Sequence, residues 1–258
     1  MNLVKRYILR YRQKMDEHIV ETVAAAKING ETFGPYKNYC KGERDIVVCG
    51  AGPTLQNYKP IDGALHMAVN RAFIYDKVNF EFIYSIDFDG ILMCQQELIE
   101  YHPEKCVKFL ATSDSPDIKK IPESFALKCN AKRFVCDYYI YGDGFRSKPV
   151  HNIDVKPVGG MPNAGMSAVE VALFMNPRKL YIVGCDMSGT HRIDANMTKE
   201  QLIAEKKQYD NYWRTEQQRL LNKWDEIKKF AEKFYPDTEI ISINPVGLKG
   251  VFKDVYQE

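Results

Sequence analysis

The sequence has little charge imbalance: 36 Lys and Arg stand against 34 Asp and Glu in 258 residues, a formal net charge of +2. Without a basic excess there is no electrostatic case for a nucleic-acid partner. No run approaches the roughly 18 apolar residues that a membrane span needs. The basic N-terminus, Met1–Arg10, lacks the continuous apolar core of a secretory signal. The seven cysteines form no CxxC pair, and Cys49, Cys136 and Cys185 fall in strand-like runs. Buried reduced thiols of this kind point to a reducing, cytoplasmic compartment. Internal repeats and low-complexity tracts are missing. So are the P-loop pattern GxxxxGK[ST] and the last glycine of GxGxxG, whose place is taken by Leu55.

What is present is an ordinary globular balance, 45% hydrophobic and 27% charged. The expected organisation is an N-terminal helical extension and linker over 1–43, then one α/β domain over 44–258. Leu3, Tyr7, Ile8, Tyr11, Met15, Ile19 and Val23 recur at spacings of three and four, the period of a helix over 2–27. Lys5, Arg6, Arg10, Arg12 and Lys14 form its other face. That face is either simply solvated or a peripheral contact with the inner face of an anionic membrane. Gly30, Gly34, Pro35 and Gly42 mark 28–44 as linker.

Strand and helix patterns then alternate. Asp45–Cys49, His66–Asn70, Phe80–Ser85, Cys106–Leu110, Lys132–Cys136, Leu180–Gly184 and Glu239–Ile243 read as strands. Ala164–Phe174 has the small, apolar composition of a helix packed closely on a sheet. Residues 198–235 form a long polar helical stretch, one helix or two. Residues 137–158, rich in Tyr, Gly, Asp and Pro, read as a lid-like insertion. The alternation predicts a Rossmann-like α/β fold, a mostly parallel sheet with flanking helices and right-handed crossovers.

In open α/β sheets, ligands lie beyond the carboxyl ends of the strands. Several polar groups are predicted to gather there. Gly50, Ala51 and Gly52 leave the first strand in a tight turn that lets a ligand approach the backbone. Pro53 suits the first turn of a following helix, whose free N–H groups attract phosphate, and Thr54 adds a hydroxyl. Asn163, Ala164, Gly165 and Ser167 form a second glycine-rich turn entering a helix. Asn70 and Ser85 close the second and third strands. Asp186 closes a later strand, followed by His191, a candidate base with an unperturbed pKa near neutrality, and Arg192, a candidate phosphate contact. Asp87 and Asp89 form a pair able to hold Mg²⁺ and through it a pyrophosphate.

In this order, Gly50-Ala51-Gly52-Pro53-Thr54-Leu55, Asn70, Ser85-Ile86-Asp87, Gly165–Ala172 and Val183-Gly184-Cys185-Asp186-Met187 with Thr190-His191 resemble two related families. One is the bacterial sialyltransferase family that uses CMP-activated sialic acid. The other holds the motility-associated-factor glycosyltransferases and the archaeal 6-hydroxymethylpterin diphosphokinase. The resemblance spans residues 44–192. In the sialyltransferases, the residues matching Gly50, Gly52, Pro53, Thr54, Leu55 and Asn70 contact the cytidine nucleotide and its phosphate. Asp186 with Thr190-His191, and Ser85-Ile86-Asp87, match the second family better. The sialyltransferase histidine that precedes the late helix has no counterpart in Trp213–Arg219.

The resemblance implies a glycosyltransferase that moves a nonulosonic acid, such as sialic acid, from a CMP-activated donor to a glycan or protein acceptor. It implies no required cofactor, and the chain acts alone or as a homo-oligomer. His191 is the leading base, with Asp87 or Asp186 behind it. A second reading is an ATP- and Mg²⁺-dependent diphosphokinase with Asp87, Asp89 or Asp186 on the metal. A third is a non-catalytic nucleotide-binding domain of the same fold.

Overall fold

A computed structural model describes residues 22–101, 105–112, 120–137, 146–159, 161–187 and 199–257, with side chains described from 216 onward in the last of these. The described residues open with helix α1 over 22–33 and then run through eight strands. These are β1 (Ile46–Cys49), β2 (Leu65–Val69), β3 (Phe82–Ser85), β4 (Val107–Ala111), β5 (Lys132–Phe134), β6 (Lys179–Val183), β7 (Glu239–Ile243) and β8 (Lys253–Val255). They form one sheet in the order β5-β4-β3-β2-β1-β6-β7-β8, with every pairing parallel. The chain builds outward from β1 to one edge, then returns to the far side of β1. The order therefore reverses between β1 and β6, the position where a parallel sheet opens a crevice at its carboxyl ends.

All four residues of β1 are buried because both faces of the sheet are covered. Ile46 and Val48 face a layer containing Phe33 of α1, helix α4 (Ala164–Phe174) and helix α5 (Lys199–Phe234). Val47 and Cys49 face a thinner layer that holds Leu55, Phe73, Leu98 of α2 (Gln95–Glu100) and Phe125 of α3 (Glu123–Lys128). Helix α4 is buried at all eleven positions, lying between the sheet and α5. That explains its apolar composition all round rather than on one stripe. Helix α5 is a single element of 36 residues, about 54 Å long. It docks through Leu220, Trp224, Ile227 and Ala231, which recur at helical spacing and are buried.

The seven expected strands are all present, with ends shifted by one or two residues. Two features differ. Strand β8 was not expected. It is three residues long and mostly polar, and exists through its pairing with β7. Of the two readings of 198–235, the single helix is the one present. The linker expected over 28–44 is helical as far as residue 33. Gly30 does not break α1: a Cβ there would come within 3.2 Å of Asp154 O, so the glycine allows a close approach. Next to it, the buried Asn29 amide pairs with Val135, donating to its carbonyl at 3.0 Å and accepting from its N–H at 2.8 Å. Thr32 Oγ1 donates to Arg133 O at 2.5 Å. These side chains cover the outer edge of β5, which has no neighbouring strand among the described residues. The basic face expected over 2–21 lies outside the described residues.

Of the lid-like stretch, 138–145 also lies outside the described residues. The chain on either side is fixed. Ser147 Oγ donates to Asp137 Oδ1 at 2.6 Å, Lys223 Nζ of α5 donates to Ser147 O at 2.9 Å, and Cys136 bridges to Val158.

A buried pair on β2 makes the fold sensitive to acid. His66 is 6% exposed, and its Nε2 sits 2.9 Å from Tyr58 Oη. Burial pulls its pKa from 6.5 down to about 4. Between those values the unfolded chain binds a proton that the folded chain does not. The stabilisation is therefore complete above pH 6.5 and is lost as pH falls towards 4, by up to about 3 kcal/mol. Urea melts from pH 7 to 4 are expected to show this slope in the wild type and a shallower one in His66→Gln. Equal slopes would remove His66 as the cause.

Candidate functional site

The β1 exit is interlocked with the β6 exit. Gly50 N donates to Val183 O and Gly52 N to Gly184 O, both at 2.8 Å. Gly184 has φ +69°, and a Cβ on it would fall 2.1 Å from Gly50 O. A Cβ on Gly50 would likewise fall 2.4 Å from Gly184 O. These glycines let two turns of the same chain pack closely, backbone against backbone.

Asp186 closes the interlock. Its Oδ2 accepts from Thr54 N at 2.8 Å, and its Oδ1 accepts from Thr54 Oγ1. Thr54 Oγ1 in turn accepts from Gly184 N at 3.2 Å, and Asp186 O accepts from Gly247 N at 2.9 Å. Burial raises the Asp186 carboxyl above the ordinary range, and the two Thr54 contacts lower it. Pro53–Asn57 is a five-residue 3₁₀-helix, not an α-helix, and the Thr54 amide is already engaged by Asp186. Among the described residues, the Ala51 amide of this turn meets no acceptor.

The second glycine-rich turn meets the first. Asn163 caps α4, its Oδ1 accepting from Met166 N at 2.9 Å. A Cβ on Gly165 would fall 3.1 Å from Cys185 Sγ, and one on Gly50 would fall 3.0 Å from the same sulfur. Cys185 therefore lies between the end of β1 and the first turn of α4, and is the one cysteine of the seven that is only half-buried. Burial, with Asp186 adding to it, pushes its thiol up to about 12, which favours the protonated form. Ser167 is fully buried, and its hydroxyl donates inward to Gly159 O at 2.7 Å.

A separate lobe forms at the ends of β2 and β3. Asn70 takes up φ +53° directly after β2. Ser85 Oγ lies 2.8 Å from both Asn70 Oδ1 and Asp87 O, and Gly90 N donates to Asp87 Oδ1 at 2.6 Å. Burial raises the Asp87 carboxyl, Asp89 adds to the rise, and Arg71 opposes it. Among the described residues no group of three His, Cys, Asp or Glu is placed to hold a metal ion.

The fold thus brings Gly50, Ala51, Gly52, Pro53, Thr54 and Asp186 together with Asn163, Ala164 and Gly165. It groups Asn70, Ser85 and Asp87 as neighbours along the same edge. His191 and Arg192, with Thr190, lie outside the described residues, beyond Met187. Cys185, Gly184 and Gly247 were missed as site residues. Their glycines and sulfur act only against partners distant in sequence. No helix among the described residues is long and apolar enough to cross a membrane.

No protein-family model matches the sequence, and no curated protein matches it. Among solved structures, the chain is similar to three forms of two Campylobacter jejuni sialyltransferases. CstII in complex with the substrate analogue CMP-3FNeuAc is 12% identical, with a TM-score of 0.46, over 82% of this chain and 86% of that one. Monofunctional α-2,3-sialyltransferase Cst-I is 17% identical, with a TM-score of 0.46, over 78% of this chain and 76% of that one. CstII with a trisaccharide acceptor and CMP is 15% identical, with a TM-score of 0.42, over 77% and 80%. What this chain has is a Rossmann-like α/β fold, a parallel eight-stranded sheet with helices on its faces.

Proposed function

We propose that the protein is a glycosyltransferase that takes a CMP-activated nonulosonic acid, such as sialic acid, and transfers it to a glycan or protein acceptor. The observation that carries this reading is the meeting of the two glycine turns between β1 and β6. The α4 amino end, capped by Asn163, and the β1 exit meet across the Cys185 sulfur, which would lie 3.1 Å from a Cβ on Gly165 and 3.0 Å from one on Gly50, at the strand-order reversal. N–H groups and the positive end of a helix at such a point favour a phosphate. Asn70, Ser85 and Asp87, along the same edge, supply polar contacts for the rest of the donor.

In the transfer, the acceptor oxygen bonds to the anomeric carbon as that carbon's bond to the phosphate oxygen breaks. CMP departs with the bonding electron pair. The acceptor proton passes to a base, for which His191 is the first candidate and Asp87 the second. Arg192 offsets the charge building on the phosphate. Asp186 is the weakest of the three candidate bases because both its oxygens are held by Thr54.

A thermal-shift series with CMP, CDP, UDP, GDP and ATP, each with and without Mg²⁺, tests the reading, since a ligand that binds the folded state raises its melting temperature. Stabilisation by CMP without metal is expected. A response to ATP with Mg²⁺ alone would replace the transferase with a diphosphokinase. CMP binding without turnover of any CMP-sugar would leave a nucleotide-binding domain.

A further inference from the structure

Helix α4 is made of small and apolar residues except for Ser167 and Glu170, and both are buried to 1% exposure or less. They hold one residue by both of its backbone groups. Ser167 Oγ donates to Gly159 O at 2.7 Å, and Glu170 Oε1 accepts from Gly159 N at 2.9 Å. The Val150 backbone lies near enough to the Glu170 carboxyl to favour its charged form, but Oε2 meets no hydrogen-bond partner among the described residues. A Cβ on Gly159 would fall 2.5 Å from Glu170 Oε2, so the peptide is seated directly against the acid. An apolar side chain would fill this place in α4 at lower cost, because a buried polar group is tolerated only where it is hydrogen-bonded.

We propose that Glu170 is a positioning residue: by holding the Gly159 peptide it sets where the chain approaches α4, and with it the seat of the nucleotide at Asn163, Ala164 and Gly165. The inference rests on the nucleotide reading of that helix end. Among the described residues, the titratable groups facing Glu170 are Tyr84 of β3, Asp137 beyond β5 and Tyr235 beyond α5. The nearby Lys223 is engaged by Ser147 O and Glu226. Burial, with Asp137 adding to it, pushes Glu170 well above the carboxylate range, against the lowering effect of the two amides. The closed arrangement therefore holds the proton more tightly than an opened one, and its stability falls as pH rises.

The test uses the full chain as wild type, Glu170→Gln and Glu170→Leu. Two quantities are read from pH 6 to 9: CMP affinity, and the hydrogen-exchange protection factor of the Gly159 amide. In the wild type, protection is expected to fall with rising pH. Glu170→Gln keeps an acceptor and cannot ionise, so it is expected to show flat protection and CMP affinity within two-fold of wild type at pH 6, a figure on the order of experimental error. Glu170→Leu is expected to lose about ten-fold in both quantities. A folded Leu variant that keeps Gly159 protection and CMP affinity overturns the proposal. If that variant does not fold, equal pH dependence in the wild type and Gln variant overturns it instead. If the wild type does not bind CMP, the nucleotide reading fails by itself, and Gly159 protection alone decides whether Glu170 holds the peptide.

Discussion

Gly184→Ala is expected to leave the chain without a stable fold, whereas Gly63→Ala costs only about 1–2 kcal/mol. Both glycines are left-handed, with φ +69° and +74°. Nothing lies within 4 Å of a Cβ built on Gly63, so that substitution isolates the conformational cost. At Gly184 the Cβ meets Gly50 O at 2.1 Å and Leu55 Cβ at 3.2 Å. The first of these is backbone of the central strand, which has no rotamer by which to escape. Relief requires the β1 and β6 exits to part, which also breaks the Gly52–Gly184 bond and the contacts of Thr54 with Gly184 and Asp186. A loss above about 4 kcal/mol consumes much of the stability of a typical domain. Urea titration followed by circular dichroism compares the two variants. If they melt alike, the interlock yields more easily than its geometry requires.

The second large effect is expected at Asp186. If Asp186 organises the site, Asp186→Asn lowers the melting temperature along with any activity. The carboxylate accepts two hydrogen bonds from Thr54, and an amide offers one acceptor and places an NH₂ group at the other position. Thr54 Oγ1 already accepts from Gly184 N, so it is poorly placed to receive that NH₂ group. A loss of about 2 kcal/mol follows from one buried donor left facing another. For a chain of this size that corresponds to a drop of about 4–8 °C. Thr54→Val removes the hydroxyl but not the amide, and the double variant is expected to lose less than the sum of the two single ones. A melting temperature unchanged in Asp186→Asn, with turnover abolished, would instead make Asp186 a catalytic residue.

Much of the fold was legible in the sequence for a simple reason. Buried parallel strands such as Ile46–Cys49 and Lys179–Val183 are short apolar runs bounded by glycine or asparagine, and their identity needs no partner to be seen. Lys253-Asp254-Val255 carries no such signal, because its strand character comes from β7. Gly30 misled because a glycine near the end of a helix reads as a stop, and only the packed Asp154 carbonyl shows why it is there. At the site, the residues of the first turn were identified but their immediate partners were not. Thr54 and Asp186 lie 132 positions apart, and no local spacing pairs them. Glu170 did not stand out from the apolar helix pattern around it, and nothing in the neighbouring sequence pointed to Gly159.

The interlock also has a consequence for synthesis. The central strand β1 is completed against β6, so the sheet has high contact order, and its inner edge cannot be covered until β6 leaves the ribosome. At roughly 5–20 residues per second, the 132 positions between Thr54 and Asp186 take on the order of ten seconds to emerge. During that interval β1 can pair only with β2, and its other row of N–H and C=O groups is open to any extended chain nearby. The carboxyl-edge crevice is therefore formed late, by the same event that removes the most aggregation-prone edge of the nascent sheet.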